Sequence, residues 1–164
     1  ARTSAGPLGQ WSAEDARRLL GLEGRAHVET DAGVQPRHTL AHAVSRLAAA
    51  DIHLAPHDLS DLDSTVLASC ALGVPTVTTR FGAAAEILPG VARLVPPAVT
   101  LDASEGHRLA IMDVGGAVRE LLELADDGEA RRETGTHARE AMRRMDPAAV
   151  AARWHALLEP LTRA

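Results

Sequence analysis

Ala50-Asp51-Ile52-His53-Leu54-Ala55-Pro56, the acidic loop of residues 57–63, and the run from Ser64 to Pro75 decide the fold. Ile52 and Leu54 lie in a short apolar run ended by Pro56, the pattern of a strand covered on both faces. Asp58, Ser60, Asp61, Asp63 and Ser64 are all good helix N-cap types. The spacing therefore predicts a helix beginning near Asp63 and running through Thr65, Val66, Leu67, Cys70 and Leu72. Gly73 stops it, and Val74-Pro75-Thr76-Val77-Thr78-Thr79 is β-branched enough to be the next strand. In a parallel sheet, the turn after a strand's carboxyl end faces a helix N-terminus and favours anionic ligands. That turn is the candidate site.

Upstream, residues 1–9 are small, polar and Gly/Pro-bearing, the composition of a linker or cut end, which leaves residues 10–164 as one domain. Residues 12–24 predict a short amphipathic helix through Ala16, Leu19, Leu20 and Leu22, and residues 25–30 a strand. Residues 31–36 form a loop, and Thr39 caps a helix carrying Leu40, Ala43, Val44 and Leu47. Downstream, residues 81–88 predict a short helix ended by Pro89-Gly90, and Ala92-Arg93-Leu94-Val95 a strand before Pro96-Pro97. Segments around Thr100 and Leu109–Met112 predict two short strands making a small hairpin or excursion. From Val114 the pattern turns helical, with Val118, Leu121, Leu122 and Leu124 on one face. Residues 129–144 carry Arg and Glu at spacings of three and four, a solvated face. Asp146-Pro147 opens a last helix whose Val150, Trp154, Leu157 and Leu158 are expected to form a buried stripe. Strands alternating with helices predict an α/β fold, a parallel sheet with helices on both faces.

The totals narrow the function. At 164 residues the chain can bury a real core, and with aromatics at 2% that core is Leu, Val, Ala and Ile. A formal charge of −5 and so few aromatics argue against nucleic acid as a partner. All 17 basic residues are Arg, a composition expected of a GC-rich bacterial genome, so no Lys is on hand for a phosphate, a Schiff base or a proton transfer. The single Cys70 rules out a disulfide framework or a Cys-based metal site. No apolar run reaches membrane-spanning length and no signal peptide is seen, so the expectation is a cytoplasmic protein without a membrane span.

The run Leu47-Ala48-Ala49-Ala50-Asp51-Ile52-His53-Leu54-Ala55-Pro56, then Val66 to Thr79, Gly82-Ala83-Ala84-Ala85-Glu86-Ile87, and Leu94-Val95-Pro96-Pro97 carry a resemblance. Together they resemble the carboxyl-terminal, donor-binding domain of two-lobed nucleotide-sugar glycosyltransferases with the GT-B architecture, of the group 1 type. The resemblance implies a Rossmann-like half of such an enzyme, transferring a sugar from a nucleotide-diphosphate donor to an acceptor. It implies donor contact at Ser60, Asp63, Ser64 and Thr65, with Asp31 and Gly33 near the nucleotide and the Ser64 and Thr65 amides as phosphate donors. No catalytic residue is assigned, because the acceptor-side base would come from the other lobe. No cofactor or metal is expected beyond the nucleotide sugar itself.

Departures from the family pattern fall at the chemistry. The paired glutamates that touch sugar and ribose correspond here to Ser60 and Ala68. The family's Gly-Phe-Gly becomes Asp61-Leu62-Asp63, where a diphosphate would approach. One such charge ~4 Å from a phosphate costs ~4 kcal/mol at an effective dielectric near ~20. The helix N-terminus returns at most ~2 kcal/mol. The resemblance also implies two opening strands, a basic diphosphate clamp and an acceptor lobe that this sequence lacks. The expected partners are therefore a missing amino-terminal lobe or another chain completing the sheet, a homo-oligomer included. The rival reading is a non-catalytic interaction or scaffold domain that has lost donor binding.

Other constellations weigh less. His57, Asp58, Asp61 and Asp63 match no defined calcium loop, and acidic residues before a helix read as caps. His38 and His42 sit one helical turn apart without a third ligand for zinc. Ser64, Thr65 and Ser69 lack the strained elbow of a nucleophile, and Gly115-Gly116 is no dinucleotide fingerprint. Glu86 occupies an acidic position of the family in an Ala-rich helix start. It reads as a helix-dipole or capping partner first, and as a supporting site residue second.

Overall fold

The computed structural model describes residues 40–56, 63–102, 106 and 108–162. The expected linker at 1–9, the helix at 12–24, the strand at 25–30, the loop at 31–36 and the Thr39 cap lie outside the described residues, as do His38 and residues 57–62. In chain order the elements are α1 (Leu40–Ala48), β1 (His53–Ala55), α2 (Ser64–Leu72), β2 (Thr76–Thr79), α3 (Gly82–Ile87) and β3 (Arg93–Val95). Then follow β4 (Pro97–Asp102), β5 (Arg108–Met112), α4 (Val114–Asp126), α5 (Gly128–Met142), a 3-10 turn (Arg143–Met145) and α6 (Pro147–Thr162).

The fold is α/β. β1, β2 and β3 form a three-stranded sheet in that order, both pairs parallel, with Leu54 opposite Val77 and Thr78 opposite Leu94. Side chains alternate across the sheet, so each face collects its own core. On one face Ala55 packs with Val66 and Cys70 of α2, Ala84 and Leu88 at α3, and Ala138 and Met142 of α5. On the other, Val77 and Val95 meet Met112 of β5 and Ala117 and Leu124 of α4. Helices therefore cover both faces, as the alternation of elements predicts. The expected hairpin is also present: β4 and β5 pair antiparallel, with an irregularity between Pro97 and Val99, and Pro97 belongs to the strand rather than to a break before it.

β2 is the central strand, and all four of its residues are buried. β1 departs from expectation. Its burial alternates, and Leu54 is 38% exposed, so this strand is not covered on both faces. α4 packs chiefly over β2 and β3; Ile52, just before β1, packs against the same cluster, while Leu54 itself stays open.

Arg93 on β3 reaches across to α4, with Glu120 at 3.5 Å and Glu123 at 3.1 Å. A charged side chain lying over an edge strand discourages pairing with another chain.

α5 shows why charge spacing reveals only part of a helix. Its Arg and Glu residues face solvent except Arg131, half-buried and donating to the Leu124 carbonyl at 2.7 Å, but Gly135, Ala138 and Met142 are buried against α2. Gly135 lies so close to Gly73 that an added Cβ would overlap the Gly73 carbonyl oxygen. Gly73 itself ends α2 at φ 80°, a left-handed position that favours glycine. Two glycines thus let the end of one helix and the middle of another meet backbone to backbone. Asp127 caps the start of α5, accepting from Ala130 and Glu129 amides, and these bonds hold its carboxyl below the ordinary range.

The last helix corrects a second expectation. Val150, Trp154, Leu157 and Leu158 do share a stripe, but it is not buried: Trp154 is 58% and Leu157 63% exposed. α6 meets the rest of the described chain chiefly through the 3-10 turn before it, and its apolar stripe stays exposed. Apolar periodicity marks a face; a surface to cover it must come from elsewhere in the fold.

Gly135→Ala is expected to lower the unfolding free energy by about 3 kcal/mol, since neither backbone at the contact can move aside cheaply. The urea midpoint reads this directly. A midpoint equal to the parent's would mean that the two backbones are not in contact.

Candidate functional site

α2 starts where the sequence places it. Asp63 is its N-cap, with extended backbone (φ −68°, ψ 129°), and its carboxylate accepts from the Thr65 amide at 2.6 Å. Because β1 and β2 run parallel, α2 begins on the side of the sheet where β1 ends. Ser64 and Thr65 are exposed in its first turn, and Pro56, the residue after β1, is exposed too. Of the expected donor-contact residues, Asp63, Ser64 and Thr65 are thus brought together at one helix start. Ser60, Asp31 and Gly33 lie outside the described residues, as do His57, Asp58 and Asp61.

The Thr65 amide, expected to meet a phosphate, is already bonded to Asp63. An anion arriving there meets a carboxylate first. Ala68, at the position expected to face ribose, is half-buried and offers no polar atom.

A second helix N-terminus opens on the same side. The Asp113 amide donates to the Pro96 carbonyl at 3.2 Å, which places the start of α4 beside the carboxyl end of β3. The Asp113 carboxylate then accepts from the Gly115 and Gly116 amides, at 3.2 and 2.9 Å. A Cβ at Gly116 would press on Val95 at 2.9 Å, so glycine lets the helix start seat against the strand. Sequence reasoning dismissed Gly115-Gly116 as a dinucleotide fingerprint and overlooked Asp113, although an Asp three residues before a Gly is a legible cap.

Glu86 requires a correction. It stands in the last turn of the six-residue α3, exposed, and not at a helix start. The dipole there disfavours negative charge, so the capping role does not hold.

Behind α2 lies a polar network that the sequence did not announce. The Ser69 hydroxyl donates to the Val66 carbonyl at 2.9 Å, and its oxygen lies 2.8 Å from both His53 Nδ1 and Thr76 Oγ1. Ser69 has one proton, which the Val66 carbonyl takes. Thr76 also has one proton, for which the Val74 carbonyl at 3.1 Å and Ser69 compete. Ser69 is fully buried, out of reach of a substrate, so the contact presents no nucleophile. The trio ties α2 to β1 and β2; it is not a catalytic pair.

Cys70, next along α2, is fully buried, and burial pushes its thiol upward, partly opposed by a hydrogen bond with Thr76. Thr79, at the carboxyl end of β2, is buried with no hydrogen-bond partner for Oγ1 among the described residues. Also among the described residues, no group of three or more His, Cys, Asp or Glu is placed to hold a metal ion. No described helix is long and apolar enough to cross a membrane.

No protein-family model matches this sequence, and no curated protein matches it significantly.

Cys70 is expected to stay unreactive toward a thiol reagent in the native chain at mildly alkaline pH and to react fully once denaturant unfolds it. Fast native labelling would contradict the packing of α2 on β1 and β2.

Proposed function

We propose that this chain is the donor-binding type of half-domain from a two-lobed nucleotide-sugar glycosyltransferase. On this reading the parent protein moves a sugar from a nucleotide diphosphate to an acceptor held by another lobe. The observation that carries the reading is the first turn of α2, exposed at Ser64 and Thr65 on the side of the sheet where β1 ends. Added to it is the sequence block from Leu47 to Pro97, which resembles the family's run in order and spacing.

The chemistry asked of such a half-domain is positioning, together with stabilisation of the departing diphosphate. Backbone amides at a helix N-terminus can supply that support without a Lys. The Ser64 amide and hydroxyl and the Thr65 hydroxyl are the groups on offer, and the Thr65 amide joins them only if Asp63 lets go. The base that activates an acceptor is not assigned to this chain.

One observation favours the rival reading, a non-catalytic interaction domain. The Asp63 carboxylate sits on the helix start, where a donor diphosphate would need to come.

Calorimetric titration with UDP-, GDP- and ADP-sugars separates the two. The donor reading expects a saturable heat for one of them below millimolar concentration. It also expects Asp63→Ala to tighten that binding about tenfold, the equivalent of about 1.4 kcal/mol, while costing about 1 kcal/mol of stability as the cap is lost. Silence from every donor with both proteins would favour the scaffold.

A further inference from the structure

We propose that the cleft at the outer edge of β3 binds a small oxyanion ligand, a carboxylate or phosphate ester, through Arg80. The proposal does not rest on the sugar-nucleotide reading, which concerns the start of α2.

The cleft has a volume of about 420 Å³ and runs along β3 between α3 and α4. Ala85, Pro89 and Leu94 supply apolar wall, and Arg80, Arg93 and Glu120 supply its charges. Those charges do not cancel equally. Arg93 is engaged by Glu120 at 3.5 Å and Glu123 at 3.1 Å, and the Glu120 Oε2 of that pair is buried without a hydrogen-bond partner among the described residues. Arg80 is exposed and makes no side-chain hydrogen bond or ion pair among the described residues. Arg93 is thus held by carboxylates already in place, whereas the Arg80 guanidinium is engaged by none of them.

The backbone adds a donor. The Arg80 amide donates to the Val95 carbonyl at 2.7 Å, which fixes the phase of the β2–β3 ladder. In a parallel ladder, alternate residues face the neighbouring strand. Arg93 and Val95 therefore face β2, while the Leu94 N–H and carbonyl point outward to the cleft. A guanidinium and an outward amide beside an apolar wall are the groups that hold a small carboxylate or phosphate. The Glu120 and Glu123 carboxylates repel a second negative charge, so the expected ligand is small and carries one anionic group.

The test uses the 164-residue chain, labelled with nitrogen-15 and titrated with inorganic phosphate and, separately, with acetate. Sodium chloride holds the ionic strength constant. The expected result is saturable movement of the Leu94 amide. Arg80→Gln should weaken the affinity at least about tenfold, and Arg80→Lys by less, as befits loss of one charge-assisted contact. Arg144→Ala, a change at an exposed residue of the 3-10 turn, should bind as the parent does. Saturation by phosphate alone assigns a phosphoryl ligand, and saturation by both anions assigns the wider oxyanion class. The proposal is overturned if Leu94 does not saturate with either anion, or if Arg80→Gln, still folded by its amide spectrum, binds as tightly as the parent.

Discussion

A central strand made mostly of hydroxyl-bearing residues is buried here with partners for the hydroxyls of Thr76 and Thr78, while that of Thr79 has none among the described residues. β2 reads Thr76-Val77-Thr78-Thr79, and every one of these residues is inside. An unmatched buried hydroxyl costs roughly 1–3 kcal/mol on protein scales, so its partners decide how the neighbouring elements dock. Thr76 finds Ser69 of α2, and through it His53 of β1. Thr78 donates to the Ala55 carbonyl at 2.8 Å, the last residue of β1. These two bonds hold α2 and the carboxyl end of β1 against β2. They fix the place from which the chain leaves β1 and the place at which α2 begins.

The helix layer has its own geometric condition. Gly73 takes the left-handed turn that ends α2, and Gly135 lets α5 come down on that turn. With side chains at either position, α5 would ride higher and Ala138 and Met142 would lose their seat beside Cys70. Small residues on a helix otherwise rich in Arg and Glu are therefore the part of α5 that packs.

Much of this architecture is legible in the sequence because its signals are local. Asp63 as a cap, Gly73 as a stop, Pro56 and Pro96 as ends of strands, and the β-branched run into Thr79 each act through the backbone of a few residues. The hairpin at 97–112 is legible for the same reason. What is not legible depends on partners distant in the chain. Leu54 and the α6 stripe are as apolar as a core requires, yet their burial turns on what lies above them, and local pattern is silent on that. The Ser69 network escapes because no spacing rule links His53, Ser69 and Thr76. The approach of Gly135 to Gly73 escapes because glycine in a helix gives no sign of what it touches. At the candidate site, the helix start was legible; the use of Asp63 as the group that fills it was readable only as one of several capping options.

The charges at the two helix starts share a logic. Asp63 and Asp113 each supply a carboxylate to the exposed amides of a long helix, stabilising the helix and answering its positive end from within the chain. A ligand at either start competes with that internal carboxylate, so affinity there is set by how readily the cap yields.

The hydroxyls of β2 carry the weight of the account, and Thr78→Val is the direct measurement. The side chain keeps its shape while the donor to Ala55 disappears, leaving a carbonyl at the end of β1 with one bond fewer. A loss of about 1–2 kcal/mol in urea unfolding, with faster amide exchange at the end of β1, is the predicted result. Unchanged or increased stability would show that apolar packing alone seats β1 on β2, and the role given to the hydroxyls would be wrong.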